Sequence, residues 1–388
     1  MNATIDKIYL DYAATTPVDP RVLEVMLPYF SQVFGNSSSV HTYGQQAEAA
    51  LEDARLSVAR GLNCAADEVI FTSCGSESDN LALRGTAFAR RGLTNADHIL
   101  ISPVEHHAVT KTAQQLARLH GFEVEYLPVD ETGMVDPAAV AERLRPKTAL
   151  VSVMYANNEI GTINPISEIG KICHERGVPL HTDAVQAAAY LPVDVQELNV
   201  DLLALGAHKF YGPKGVGALY VRKGTPIVPV LTGGGQESGL RAGTHNIPYI
   251  AGLAEAFRLA QSERDQRIAT VQPLRDRIIG RVLEEIPNAR LTGEINRRLP
   301  NHASFVFQGM DGNALLMLLD VEGFACSSGS ACKTGDPEPS DVLTALGLER
   351  DWALGSLRVT LGAATTPADV ESFLAILPSV VERARLFH

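Results

Sequence analysis

Lys209 is a lysine placed where one is costly. It closes the apolar run Leu202-Leu203-Ala204-Leu205 through Gly206-Ala207-His208. It precedes Phe210-Tyr211-Gly212-Pro213-Lys214-Gly215, a turn in which backbone can come close to a ligand. Burial would depress its pKa and leave a free amine able to form a Schiff base. Lysines are mostly exposed, so Lys209 taken alone also fits a surface residue beyond a strand end. Asp183 ends the preceding apolar run, where it could cap a turn or pair the ring nitrogen of a pyridine cofactor acting as electron sink. Gly75-Ser76 follows Val69-Ile70-Phe71-Thr72 and opens a helical pattern, either a plain turn or a start whose unpaired N–H groups favour a phosphate. Anion corner, carboxylate and amine in this order on one sheet point to pyridoxal phosphate chemistry.

The elements that must position these groups alternate. Apolar residues at helical spacing mark helices over 44–62, 77–90, 108–120 and 166–176. Short β-rich runs fall at 69–72, 98–102, 149–154, 179–182 and 202–205. Alternation of this kind predicts an α/β fold with a mostly parallel sheet flanked by helices. Ligands then sit beyond the carboxyl ends of the strands. The turns there carry Gly75-Ser76-Glu77, Glu105-His106-His107, Asn157-Asn158-Glu159, Asp183-Ala184-Val185-Gln186 and His208-Lys209. After about residue 248 the texture changes to a long Arg-, Glu- and Gln-rich helical stretch reaching 285, followed by a β-like run over 303–307, with a boundary expected near 261–270. Thr366 and Pro367 start a final helix, which Pro378 is expected to kink or end.

Composition excludes several classes of function. The 388 residues are 45% hydrophobic and 20% charged, which fits an ordered globular chain and not a disordered one. A net charge of −12 leaves no electrostatic footprint for direct nucleic-acid binding. No apolar run approaches a membrane span, and the N-terminal residues have no signal-peptide pattern, so no membrane association and a cytoplasmic location are expected. The five cysteines, Cys64, Cys74, Cys173, Cys326 and Cys332, are too sparse for a disulfide framework and suit a reducing compartment. His106-His107 and His181-x-Asp183 lack the companion His or Cys spacing of a metal set, so no intrinsic metal is expected. Gly233-Gly234-Gly235 is not followed by the apolar helix a nucleotide loop needs.

The chain resembles cysteine desulfurases of the NifS/IscS type, within the fold-type I, class V aminotransferase family. The runs that carry the resemblance are Tyr9-Leu10-Asp11-Tyr12-Ala13-Ala14-Thr15-Thr16-Pro17, Phe34-Gly35-Asn36, Glu77-Ser78-Asp79-Asn80, Asn157-Asn158-Glu159-Ile160-Gly161, His208-Lys209, Arg241-Ala242-Gly243-Thr244 and Ser327-Ser328-Gly329-Ser330-Ala331-Cys332. It implies a seven-stranded sheet in a large domain over 15–262. It also implies a smaller α+β domain formed by 1–14 and 263–388, which carries a mobile loop at about 325–340. The activity implied is removal of sulfur from L-cysteine to give L-alanine and an enzyme-bound persulfide, passed to acceptors in iron–sulfur cluster assembly or thiolation.

The resemblance also assigns roles. Lys209 would bind pyridoxal 5′-phosphate and move the substrate Cα proton, and Asp183 would pair the pyridine nitrogen. Gln186 and Asn158 would lie near the phenolic oxygen or the substrate carboxylate. His106 would stack on the ring and is a further candidate for proton transfer. Gly75, Ser76 and His208, with Gly206 and Ala207 beside them, would hold the phosphate, joined by Thr244 from the second subunit of a homodimer. Arg358 and Asn36 would bind the substrate carboxylate. Cys332, in a Gly/Ser-rich stretch ahead of Asp336-Pro337-Glu338-Pro339, would be the nucleophile and could touch a nascent cluster during transfer.

The chain departs from the family pattern at three places. Gly206 stands where a serine is usual and removes one hydroxyl from the phosphate corner. Cys74 replaces the commonest glycine, and Ser76 a threonine. The chain stops at Phe387-His388, soon after its last helix, which leaves the sulfur-acceptor protein or scaffold open. A selenocysteine lyase, a small-substrate aminotransferase and an inert sulfur-assembly subunit are the competing readings. A loop thiol argues against a transaminase, and the joint presence of Lys209, Asp183, His106, Arg358 and Cys332 argues against an inert subunit.

Overall fold

The computed structural model describes residues 7–329 and 338–387. In chain order its strands are β1 (Ile8–Tyr9), β2 (Val69–Thr72), β3 (His98–Ile101), β4 (Glu123–Tyr126), β5 (Thr148–Ser152), β6 (Leu180–Asp183), β7 (Leu202–Gly206), β8 (Gly217–Val221), β9 (Ala289–Leu291), β10 (His302–Phe307), β11 (Phe324–Ala325) and β12 (Ser356–Thr360). Seven of them form one sheet in the order β2-β8-β7-β6-β5-β3-β4. Pairing is parallel from β4 to β7 and antiparallel on both sides of β8, so β8 alone is reversed.

Except for the edge strand β4, every residue of this sheet is buried, because helices cover both faces. The helix Thr42–Leu62 turns Ala47, Leu51, Ala54, Val58 and Leu62 inward, against the helix Ile247–Ser262. The helix His107–His120 buries Val109, Ala113 and Leu116 in a second apolar cluster with Ile99, Ile101 and Leu150. A three-stranded antiparallel sheet, β12-β10-β9, lies in the C-terminal third, and β1 pairs with β11. Among the described residues, no helix is long and apolar enough to cross a membrane.

Two local expectations are corrected. The long stretch after residue 248 is two helices, Ile247–Ser262 and Arg264–Glu285, broken at Glu263. The last helix does not end at Pro378 but continues from Pro367 to Arg385. Leu377, Val380, Val381 and Ala384 are all buried on one stripe there, and that packing outweighs the hydrogen bond lost at the proline.

Candidate active site

The parallel strands deliver their following turns to one edge of the sheet. A cavity of about 230 Å³ opens there, lined by Ala13, Ala14, Gly75, Ser76, Asp79, His106, Asn158, Asp183, Gln186, His208, Lys209 and Arg358 among others. Gly75 and Ser76 come from the end of β2, His106 from β3, Asn158 from β5, Asp183 and Gln186 from β6, and His208 and Lys209 from β7. Arg358 is brought in from the small sheet by β12.

Lys209 stands in a single helical turn, Ala207–Lys209, directly after β7. Its Nζ donates to the carbonyls of Ala13 at 2.5 Å and Ala14 at 2.7 Å. Burial lowers its pKa to about 8, helped by the Arg358 charge and opposed by Asp11 and Asp183. The N-terminal segment that supplies these carbonyls is sewn to the lysine turn. Thr16 N–H donates to His208 O at 2.9 Å, and Tyr211 N–H to Thr16 Oγ1 at 2.8 Å.

Asp183 ends β6 with its carboxyl buried, and Oδ1 accepts from Val185 N–H at 2.8 Å. Burial and the nearby Asp79 carboxyl raise its pKa. A second layer lies behind it. Burial pushes Asp79 up to about 8 and His181 down to about 4, with Asp79 Oδ1 3.4 Å from His181 Nε2. Glu105 is also buried; Oε1 accepts from Met154 N–H at 2.6 Å, while Oε2 has no partner among the described residues. Asp79, His106 and Asp183 hold ligand-capable atoms within 4.8 Å of one another, so the fold does assemble a trio that spacing along the chain did not reveal.

His106 caps the helix that follows β3, its Nδ1 accepting from Ala108 N–H at 3.1 Å. The neutral ring therefore carries its hydrogen on Nε2. Burial of the ring and the nearby Lys209 charge act to hold it neutral, although the residue as a whole stays exposed at the cavity mouth. Gln186 Nε2 donates to Ala13 O at 2.8 Å, the same carbonyl that Lys209 uses. His208 Nδ1 lies 3.2 Å from Thr15 Oγ1, and its pKa falls to about 4 through burial and the Lys209 charge.

The anion corner is built by close backbone approach. A Cβ on Gly75 would come within 2.7 Å of Val185 Cγ2, and one on Gly217 within 2.6 Å of the Cys74 and Leu205 backbone. Gly206 is less constrained: its Cβ would meet Gly75 N at 3.4 Å. That is ordinary van der Waals contact, so packing at this position does not demand a glycine. Gly206 and Ala207 stay behind the cavity wall and do not line it.

Arg358 is buried, with Nη2 2.8 Å from Asp11 Oδ1 and Nη1 3.0 Å from Asn158 O. Its Nε has no partner among the described residues. Asn36 and Thr244 are exposed and do not line the cavity of their own chain. Asn36 Oδ1 instead accepts from Ser38 N–H at 2.9 Å. Cys332 lies outside the described residues, as do residues 330–337 of the loop expected at about 325–340. Cys326 is described, and burial raises its thiol pKa, which suits a packed thiol better than a nucleophile.

Sequence reasoning missed Asp11, the Ala13 and Ala14 carbonyls, Asp79 and Glu105 as parts of the site. The first three sit within the Tyr9 to Pro17 run and Asp79 within Glu77 to Asn80, so motif membership was the available signal. Glu105 had its place in the turn after β3.

The residues fit a phosphorylated pyridine cofactor. Asp183 offers a buried anion to a ring N–H, Lys209 an amine of depressed pKa, and Gly75 a crowded helix start open to an anion. The model of the aminotransferase class-V family matches residues 8–373. A cysteine desulfurase IscS from Dictyoglomus turgidum is 48% identical over 379 residues, covering 98% of this chain and 95% of its own. Another cysteine desulfurase IscS, from Methanosarcina thermophila, is 47% identical over 97% of this chain and 93% of its own. Among solved structures, a NifS-like protein superposes with a TM-score of 0.90 at 36% identity, covering 97% of this chain and 100% of its own.

Proposed function

The chain belongs to the aminotransferase class-V family as a pyridoxal phosphate-dependent cysteine desulfurase, and on that premise we propose how its residues share the work. The observation that carries the assignment is the juxtaposition of Lys209, Asp183 and Arg358 around one cavity. Bound pyridoxal 5′-phosphate supplies an electron sink that acidifies the substrate Cα–H.

Asp183 would keep the cofactor's ring nitrogen protonated, a task suited to a carboxylate in a dry site. Gly75, Ser76 and His208 would hold its phosphate, His106 would stack on its ring, and Gln186 and Asn158 would lie near the phenolic oxygen or the substrate carboxylate. Arg358 takes the carboxylate of L-cysteine, since a guanidinium fork matches a carboxylate. Lys209 Nζ, with a pKa near 8, moves the proton at substrate Cα. Cys332 attacks the substrate sulfur as thiolate. A sulfur–sulfur bond forms, the Cβ–S bond breaks with its electrons left on carbon, and protonation there completes L-alanine. Substrate and enzyme thiol together thus become alanine and an enzyme persulfide.

The persulfide sulfur passes to an acceptor protein of iron–sulfur cluster assembly or of thiolation. The working form is a homodimer in the cytoplasm, with Thr244 contributed to the partner's phosphate corner and Asn36 assisting the substrate carboxylate. Exposed Leu23, Leu27, Phe30, Phe34, Val40 and Tyr43 support a subunit contact, because one chain leaves this much apolar surface in a single segment.

The test incubates the purified protein with L-cysteine and measures alanine and sulfide against Cys332→Ser. The variant is expected to keep the yellow cofactor absorbance and to lose sulfide release. Equal sulfide from both proteins would remove Cys332 from the reaction.

A further inference from the structure

Glu159 has no part in the reaction as derived, yet it stands next to Asn158 and joins two distant parts of the chain. Its carboxylate accepts from Ser340 Oγ at 2.5 Å. Ser340 is also the N-cap of the helix Asp341–Ala345, its Oγ accepting from Val342 N–H at 3.1 Å and Leu343 N–H at 3.5 Å. A hydroxyl has one hydrogen and two lone pairs. With both lone pairs turned to the helix, the hydrogen has Glu159 as its acceptor.

Gly329 packs beside the same carboxylate. A Cβ there would lie 2.7 Å from Glu159 Oε2 and 3.4 Å from Ser340 Cβ, so a side chain would have to push the carboxylate end aside. Gly329 N–H also donates to Ser356 Oγ on β12 at 3.3 Å, and Ser327 is bridged to Arg358. Gly329 and Ser340 flank the stretch that contains Cys332. The effective concentration of a group on a tethered segment depends on where the tether ends are fixed. Here Ser340 is bonded to the Glu159 carboxylate, and Gly329, bonded to Ser356, packs beside that carboxylate.

We propose that Glu159 is a positioning residue for the sulfur-accepting thiol, a clasp that holds Ser340 in place beside Gly329 at the edge of the site. The proposal rests on the reading of Cys332 as that thiol.

The experiment uses the holoenzyme as wild type, Glu159→Ala and Glu159→Gln, with visible absorbance reporting cofactor content. Amide hydrogen exchange at Val342 and Leu343 reports the clasp, and alanine formation reports turnover. Loss of a hydrogen bond to a buried carboxylate sets the expected scale. In Glu159→Ala, exchange quickens and kcat falls, each by about tenfold, with KM for cysteine and absorbance nearly unchanged. Glu159→Gln, whose Oε1 still accepts from Ser340, stays within about threefold of wild type on the same scale. Unchanged exchange in the alanine variant, or equal damage in both variants, overturns the clasp. If Glu159→Ala loses the cofactor, Ser340→Gly takes its place: glycine is tolerated at a helix N-cap, has no hydroxyl to donate to Glu159, and is expected to lower kcat alone. A Ser340→Gly enzyme with wild-type kcat overturns the proposal as well. Full sulfide output from Cys332→Ser would sink the reading of the thiol, while the exchange data would still judge the clasp.

Discussion

Arg358, which lines the cavity at the strand ends, forms a largely buried ion pair with Asp11 at 2.8 Å. Asp11 also accepts from Ser327 Oγ at 2.8 Å, so one carboxylate touches both the guanidinium and the chain that leads to Gly329. A substrate carboxylate arriving at Arg358 meets a donor group already partly engaged. It finds Nε without a partner among the described residues and must share or displace Asp11 at Nη2.

Arg358→Lys is therefore expected to raise KM for L-cysteine by tenfold or more, the scale of disturbing a buried charge pair of about 2 kcal/mol. An ammonium keeps the charge that Asp11 needs but loses the planar fork. Cofactor absorbance should not change. Steady-state kinetics with an unaltered KM would remove Arg358 from substrate binding.

The depressed pKa of Lys209 makes a pH prediction. Uptake of pyridoxal phosphate by cofactor-free protein needs the neutral amine, so its rate should rise with pH and level off just above about 8. Asp11 favours the charged amine, so Asp11→Asn should move the midpoint downward. A plateau reached only near 10.5, or a midpoint that rises in the variant, would contradict the electrostatics of the site. Stopped-flow absorbance across pH 6 to 10 gives the curve.

Much of this was legible along the chain, and the reasons differ from residue to residue. β2, β3, β5, β6 and β7 are short apolar runs bounded by turn residues, so their boundaries were readable to within two residues. β4 was not, because Glu123-Val124-Glu125-Tyr126 is an edge strand with partly exposed charges. β8 was missed although Val216 to Val221 is an apolar run between Gly215 and Gly224; its reversed direction is set by pairing to β7 and β2, which no local pattern records. Lys209, Asp183 and Gly75 were singled out because strand ends carry chemistry, and the fold brings all three to one cavity. Asp11 and the Ala13 carbonyl were not, since they reach the site through long-range contacts to Arg358 and Lys209. Pro378 misled because the burial of its helix overrides a local breaker.

The last prediction concerns stability away from the chemistry. Glu237 accepts from both Arg55 Nη atoms at 2.8 and 2.9 Å, from Phe71 N–H at 2.8 Å and from His245 Nε2 at 2.7 Å. It and Ser238 hold φ values of 46° and 54°, so this network keeps two non-glycine residues in the left-handed region. Although burial opposes it, the hydrogen bonds from Arg55 and His245 bring the Glu237 pKa down to about 2. A folded pKa below the unfolded value means that the stabilisation is full above about pH 4.5 and is lost as pH falls through about 2. Glu237→Gln removes the buried counter-ion of Arg55, leaving it only the half-exposed Glu52 carboxylate at 3.1 Å, and should cost about 3 kcal/mol at pH 7. Read as melting temperature, the gap to wild type should be widest near neutrality, narrow below pH 4.5 and close as pH 2 is approached. A gap that stays constant down to pH 3, or none at pH 7, would show that the pair does not hold this segment in place.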